Sequence, residues 1–252
     1  MAHDRVPVFR AVQLVWRDVW RAAWAMPNLF GVAFAIILAL SILDGVVPKS
    51  VLEFPPAALT VAAVRAFFLT PFLIAIHRFI LLEEVTLRYA LAPGEPRFLR
   101  FFGWSMALVA LSISASLIVR VLSLIGLPQG VASIATAVVL IIGLVITVRL
   151  VILFPAIAVE APGASASNAF GDTKGYFWNI FVIVVVAGVP LVVLLVPVVF
   201  LAWPMFGVAR SSKLLEIADA AVTGVIAYPL YVAVASRLFQ ALAERVMHRA
   251  PV

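Results

Sequence analysis

Two arginines stand inside long apolar runs, each at the same distance from a proline. Val64 and Arg65 precede Pro71, and Val148 and Arg149 precede Pro155, with the same spacing. A third copy of the frame, Val222, Thr223 and Pro229, has threonine where the others have arginine. An ionisable residue in a membrane segment is a functional hypothesis by default, because taking it out of water is costly. Each arginine lies six residues, about 9 Å along a helix, from its proline. The frame therefore predicts two guanidiniums at similar depth in the lipid. Proline removes a backbone donor and frees a carbonyl one turn earlier, so Pro71, Pro155 and Pro229 mark places where a helix can open.

The expected counter-ion is Asp219, one turn before Thr223 in the third copy. If the copies superpose, Arg65 and Arg149 face Asp219 and Thr223 around a shared axis. Two readings stay open. In one, a buried ion pair fixes helix register and the second arginine is satisfied by carbonyls. In the other, the surplus positive charge binds a carboxylate, a phosphate or a lipid headgroup, whose oxygens match a guanidinium fork. Asp44 and Arg120, near the outer ends of their spans, are expected to reach headgroups or pair locally. Glu160 falls at the cytoplasmic interface. His77, Arg78, Glu83 and Glu84 read as a solvated charged edge. Ser112, Ser114, Ser116 and Ser133 suit close helix packing. No nucleophile motif, phosphate loop or metal-ligand spacing is present, so no catalytic residue, metal ligand or cofactor is assigned.

The elements that must position these residues are membrane helices. The 252-residue chain is 65% hydrophobic and 12% charged, with a mean hydropathy of +1.18. Soluble domains carry about a quarter charged residues. Apolar segments near residues 29–47, 57–80, 101–124, 132–158, 177–202 and 215–240 are each long enough to cross a bilayer, which takes roughly 20 residues. The fold class expected is an all-α integral membrane protein of six spans, arranged as three repeats of an amphipathic segment and two spans. It forms one domain over 1–252, with an amphipathic helix over 1–28, a bundle over 29–240 and a cytoplasmic tail over 241–252. The chain has no cysteine, which removes disulfides and thiolate chemistry.

The amphipathic start is the clearest single element. On a helical wheel Arg10, Arg17 and Arg21 cluster, Val8, Phe9, Val12, Val15 and Val19 cover the opposite arc, and Trp16, Trp20 and Trp24 run along the flank. That arrangement suits an interfacial anchor in the headgroup layer. Basic residues concentrate with the termini and the linkers near 77–100 and 159–176, whereas Lys49, Arg210 and Lys213 are the ones opposite. The positive-inside rule then places both termini in the cytoplasm. The net charge of +6 sets orientation rather than marking a nucleic-acid binder.

Residues 149–180 resemble a stretch in a family of bacterial six-span inner-membrane proteins. That family includes the membrane domain fused to some glycerophosphoryl diester phosphodiesterases and related stand-alone proteins. The resemblance rests on Arg149, Pro155, Glu160, the region of Ser165 and Ser167, and Thr173, Lys174 and Gly175 followed by Phe177 and Trp178. Pro162 and Gly163 depart from the pattern. The resemblance implies a six-span inner-membrane protein; the phosphodiesterase activity belongs to a soluble barrel that this sequence does not contain. The mitochondrial carrier family, also built from three two-span repeats, is rejected because its acidic–basic signature after an odd-span proline is missing. The function expected is non-enzymatic: binding or moving an anionic lipid or metabolite. The alternative is a membrane scaffold or assembly factor whose arginines are structural. A lipid-modifying enzyme ranks behind both. The bilayer is the expected partner, no protein partner is named, and nucleic acid is not expected.

Overall fold

A computed structural model describes residues 7–52, 54–126, 128–202 and 211–247. Among these residues ten helices follow one another: α1 (Val8–Ala25), α2 (Pro27–Val46), α3 (Lys49–Leu52), α4 (Pro55–Leu82), α5 (Pro96–Leu124), α6 (Gln129–Arg149), α7 (Leu153–Ala158), α8 (Ala166–Asp172), α9 (Phe177–Ala202) and α10 (Ser211–Leu242). Among the described residues there is no strand. Prolines open α2, α4 and α5, where a missing N–H costs nothing because the first turn has no partner for it. Glu83 ends α4 in the left-handed region, with φ 55°, and its N–H still closes the last turn on Phe79 O at 3.0 Å.

Among the described residues five helices are long and apolar enough to cross a membrane: Pro27–Val46, Pro55–Leu82, Gly130–Arg149, Phe177–Leu195 and Glu216–Leu242. The sixth expected span falls on α5, which is not among these five. The long helices close a ring: α2 packs on α4, α4 on α5, α5 on α6, α6 on α9, α9 on α10 and α10 back on α2, with α4 also touching α10. At one end α1 lies across α9 and α10, and α7 fills the middle, touching α4, α5 and α10. All six residues of α7 are buried. The main core gathers there, joining Val12, Val15, Leu153, Ile157, Ile180 and Leu238.

The three proline frames do not share one conformation. Pro71 and Pro229 lie inside continuous helices. In the frame of Arg149 the helix stops at that residue, the chain turns through Leu150–Ile152, and Pro155 sits in the separate α7. Leu153 N bonds to Leu150 O at 2.9 Å, a tight three-residue turn that lets the apolar run fold into the bundle centre. The segment before α5 also differs from an amphipathic helix. Residues 83–95 are non-helical.

Candidate functional site

At the end of the bundle away from α1, a cleft of about 730 Å³ opens between α2, α4 and α10. Asp44 and Ser41 reach it from α2, Arg65 from α4, and Lys213, Glu216, Asp219 and Thr223 from α10. The α10 residues recur every three or four positions, so one helical face carries them. A second cavity of about 530 Å³ lies between α4 and α5, walled by Ala62, Ala66, Ser105 and Val109. Asp44, Arg65, Leu69 and Tyr228 line both.

The shared wall is polar. Arg65 Nη2 donates to Asp44 Oδ2, and the two side chains stay 38% and 33% exposed. Such a wet pair contributes little stability, because water already solvates both charges. Close packing of α2 on α10 forms part of the cleft wall. A Cβ on Gly224 would lie 2.9 Å from Ile37 Cγ2, and one on Gly45 would lie 3.1 Å from Ile217 Cδ1. Only glycine permits those approaches without a shift. Thr223 Oγ1 is buried with no hydrogen-bond partner.

The structure brings Arg65, Asp219 and Thr223 to one cleft and leaves Arg149 out of it. The counter-ion expectation needs correcting, because Arg65 pairs with Asp44 of α2. Asp219 is exposed and makes no hydrogen bond or ion pair among the described residues. Arg149 sits where α6 ends, and its Nη2 donates to Phe170 O. Its guanidinium lies 5.0 Å from the Phe170 ring centre, while Thr173 Oγ1 donates to Arg149 O at 3.1 Å. The Nε is buried and has no partner. Helix register explains the separation. Asp44 lies about 26 Å along α2 from its first residue, and α1 immediately precedes that residue. Arg149 adjoins the core that α1 covers. The two arginines therefore occupy opposite ends of the bundle and not one layer.

The anchor helix forms over Val8–Ala25 and buries Val12, Val15, Val19 and Ala22. Arg10, Arg17 and Arg21 are exposed, and Arg21 Nη2 pairs with Glu83 at 3.3 Å. The aromatic flank divides. Trp20 and Trp24 are exposed, whereas Trp16 packs inward and donates to Ala187 O at 3.1 Å. Phe9 belongs with the exposed aromatics, at 74%, and not with the apolar arc.

Two buried polar pairs escaped the sequence reading. Asp18, with its side chain 2% exposed, accepts from Arg237 Nε at 2.5 Å and from Nη2 at 2.8 Å. The signal was Asp18 standing among Val15, Val19 and Ala22 on the buried arc. A carboxylate there needs a cation. His77 is not part of a solvated edge. It is 1% exposed, and its Nδ1 lies 2.8 Å from Ser236 Oγ, because α4 runs on beneath α7 and α10. Neither partner lines the two cavities described above. Arg78 instead donates to Glu84 and, at 3.1 Å, to Ala158 O. Ser112 and Ser114 bond back into their own helix. Among the described residues no group of His, Asp and Glu is arranged to hold a metal ion.

No protein-family model matches the chain, and neither a curated protein nor a solved structure matches it.

Proposed function

We propose that this is a multi-pass inner-membrane protein that binds or moves a small molecule or lipid bearing an anionic group, with Arg65 as the ligand cation. The observation that carries the reading is the half-exposed Arg65–Asp44 pair standing between two cavities. Arg65 gives one nitrogen to Asp44, which leaves the rest of the fork for an incoming oxyanion. Asp44 is then the resting counter-ion, the role first expected of Asp219. The cleft also holds Glu216, Asp219 and Lys213. A ligand that carries a cationic group beside its anionic one meets both signs of charge there. The apolar wall of the second cavity suits a hydrocarbon body.

The same reading takes α5 as a sixth span, the three helix pairs as repeats, and both termini as cytoplasmic. The likeness of residues 149–180 to the phosphodiesterase-associated membrane family supports that architecture and gives no activity. Native mass spectrometry of the purified protein beside Arg65→Leu tests the binding role. The expected result is a copurifying ligand that the folded mutant lacks. Identical spectra from the two proteins would sink the reading. One observation favours the scaffold alternative: Arg65 already has a carboxylate partner, so it can serve structure alone.

A further inference from the structure

The non-helical segment between α4 and α5 has a regular side-chain pattern. Glu84, Thr86 and Arg88 line a crevice of about 180 Å³, while Val85, Leu87 and Leu91 are 46%, 72% and 43% exposed. Alternation with period two is the signature of extended chain. Here the polar row lines the crevice, with Glu84 and Arg88 still open to solvent, and the apolar row is exposed away from it. The left-handed Glu83 turns the chain back. The Thr86 N–H reaches Met26 Sδ at 3.4 Å, and Tyr89 donates its phenol to Phe68 O. Phe68 precedes the end of α4 by 14 residues, about 21 Å, so the strap runs back along a membrane-length helix. Non-helical backbone is tolerated at such a level only where it lines protein or a wet cavity.

The floor of that crevice is Pro71, Ala75 and Arg78 of α4, and its far wall is Arg97 and Phe98 of α5. Three guanidiniums and two carboxylates meet there. Arg78 is taken by Glu84 at 2.9 and 2.5 Å. Arg97 is taken by Glu95 at 2.6 Å, with Glu160 at 3.9 Å. Arg88 lines the crevice and makes no hydrogen bond or ion pair among the described residues. Arg88 is therefore the guanidinium of the crevice that no carboxylate pairs with among the described residues.

We propose that the crevice beneath residues 84–92 is a binding site for a phosphate group, with Arg88 as its principal ligand. The planar fork of an arginine matches two phosphate oxygens. Thr86 Oγ1 stands on the same polar row. The outward Val85, Leu87 and Leu91 suit contact with acyl chains, which puts the mouth in the headgroup layer. The phosphate belongs either to an anionic lipid or to a soluble phosphate ester. This site is separate from the Arg65 cleft and does not depend on it.

The test compares the full-length protein, Arg88→Ala and Lys174→Ala. Lys174 is an exposed lysine outside the crevice and controls for loss of one charge. Delipidated samples in phosphatidylcholine nanodiscs receive phosphatidylglycerol, or are titrated with inorganic phosphate, and bound species are counted by native mass spectrometry. The wild-type protein and Lys174→Ala should hold the probe equally, and Arg88→Ala roughly tenfold more weakly, the loss of one charge-assisted contact. Retained phosphatidylglycerol that inorganic phosphate does not displace identifies a lipid headgroup. Binding or displacement by inorganic phosphate identifies a soluble ester. Equal affinity in wild type and Arg88→Ala for both probes overturns the proposal, and so does an equal loss in Lys174→Ala.

Discussion

Two arginine–carboxylate pairs tie distant helices together, and they sit in opposite surroundings. Arg237 grips Asp18 with two hydrogen bonds at the α1 end, where the carboxylate is 2% exposed. Arg65 holds Asp44 with one, at the cleft end, where both partners are about one-third exposed. The carboxylate of the first pair has nowhere else to turn, since water cannot reach Asp18 without opening the core. The second can exchange its partner, because water and two cavities already border it. The same chemistry therefore acts as a clamp in one place and, in the proposed reading, as the receptor for a ligand in the other.

Breaking the clamp should have the largest effect. Asp18→Ala leaves Arg237 partly buried without its carboxylate and is expected to cost about 3 kcal/mol, near the lower end of the range for splitting a buried pair. Thermal unfolding in detergent reads it. The double variant Asp18→Ala/Arg237→Leu should recover part of the loss, since no uncompensated charge remains. A single mutant as stable as wild type would mean that the pair is solvated and the contrast false.

Widening the helix contact beside the receptor comes next. Gly224→Ala places a methyl 2.9 Å from Ile37 Cγ2 and should cost roughly 1–2 kcal/mol as overpacking. It should also weaken ligand retention, because α2 and α10 must part. Retention unchanged in the destabilised variant would separate the cleft from the ligand.

Asp44→Asn should scarcely alter stability, by less than about 1 kcal/mol as for an exposed pair. Its effect belongs to binding. With its counter-ion neutralised, Arg65 should hold an anionic ligand more tightly in native mass spectra. If the variant instead unfolds and carries nothing, the Arg65 pair is a second clamp, and the scaffold reading gains.

The contrast between the two pairs was only partly legible in the sequence. The helices and the buried arc of α1 follow from apolar periodicity, and Asp18 could have been picked out as the one carboxylate on that arc. The pairing of Arg65 could not, since it depends on how far α4 extends past the end of α2. Arg149 was misplaced for a related reason. Its frame matches that of Arg65 in the valine, the arginine and the spacing to the proline, yet depth is set by where each helix stops, and α6 stops at the arginine. The strap left a local trace in the alternation of Glu84, Val85, Thr86, Leu87 and Arg88. Two adjacent glutamates at the end of an apolar run made a solvated edge look sufficient.

The smallest expected effect concerns how firmly that strap is fastened. Burial pushes the Tyr89 phenol up to about 12 from its ordinary value near 10, and the neutral phenol donates to Phe68 O. Because the folded value is the higher one, the contact is whole below pH 10 and is lost as pH rises toward 12. Amide hydrogen exchange over residues 84–92, corrected for intrinsic base catalysis, should therefore lose protection across that window. The α1 core is fastened by Asp18 and Arg237 rather than by Tyr89 and should keep its protection. Tyr89→Phe cannot ionise, so its strap should exchange without a step between pH 10 and 12. An identical step in the mutant would place the loosening elsewhere, in the titration of lysines or in general unfolding. The strap would then be held by Thr86 and the arginine–glutamate pairs of the crevice rather than by its phenol.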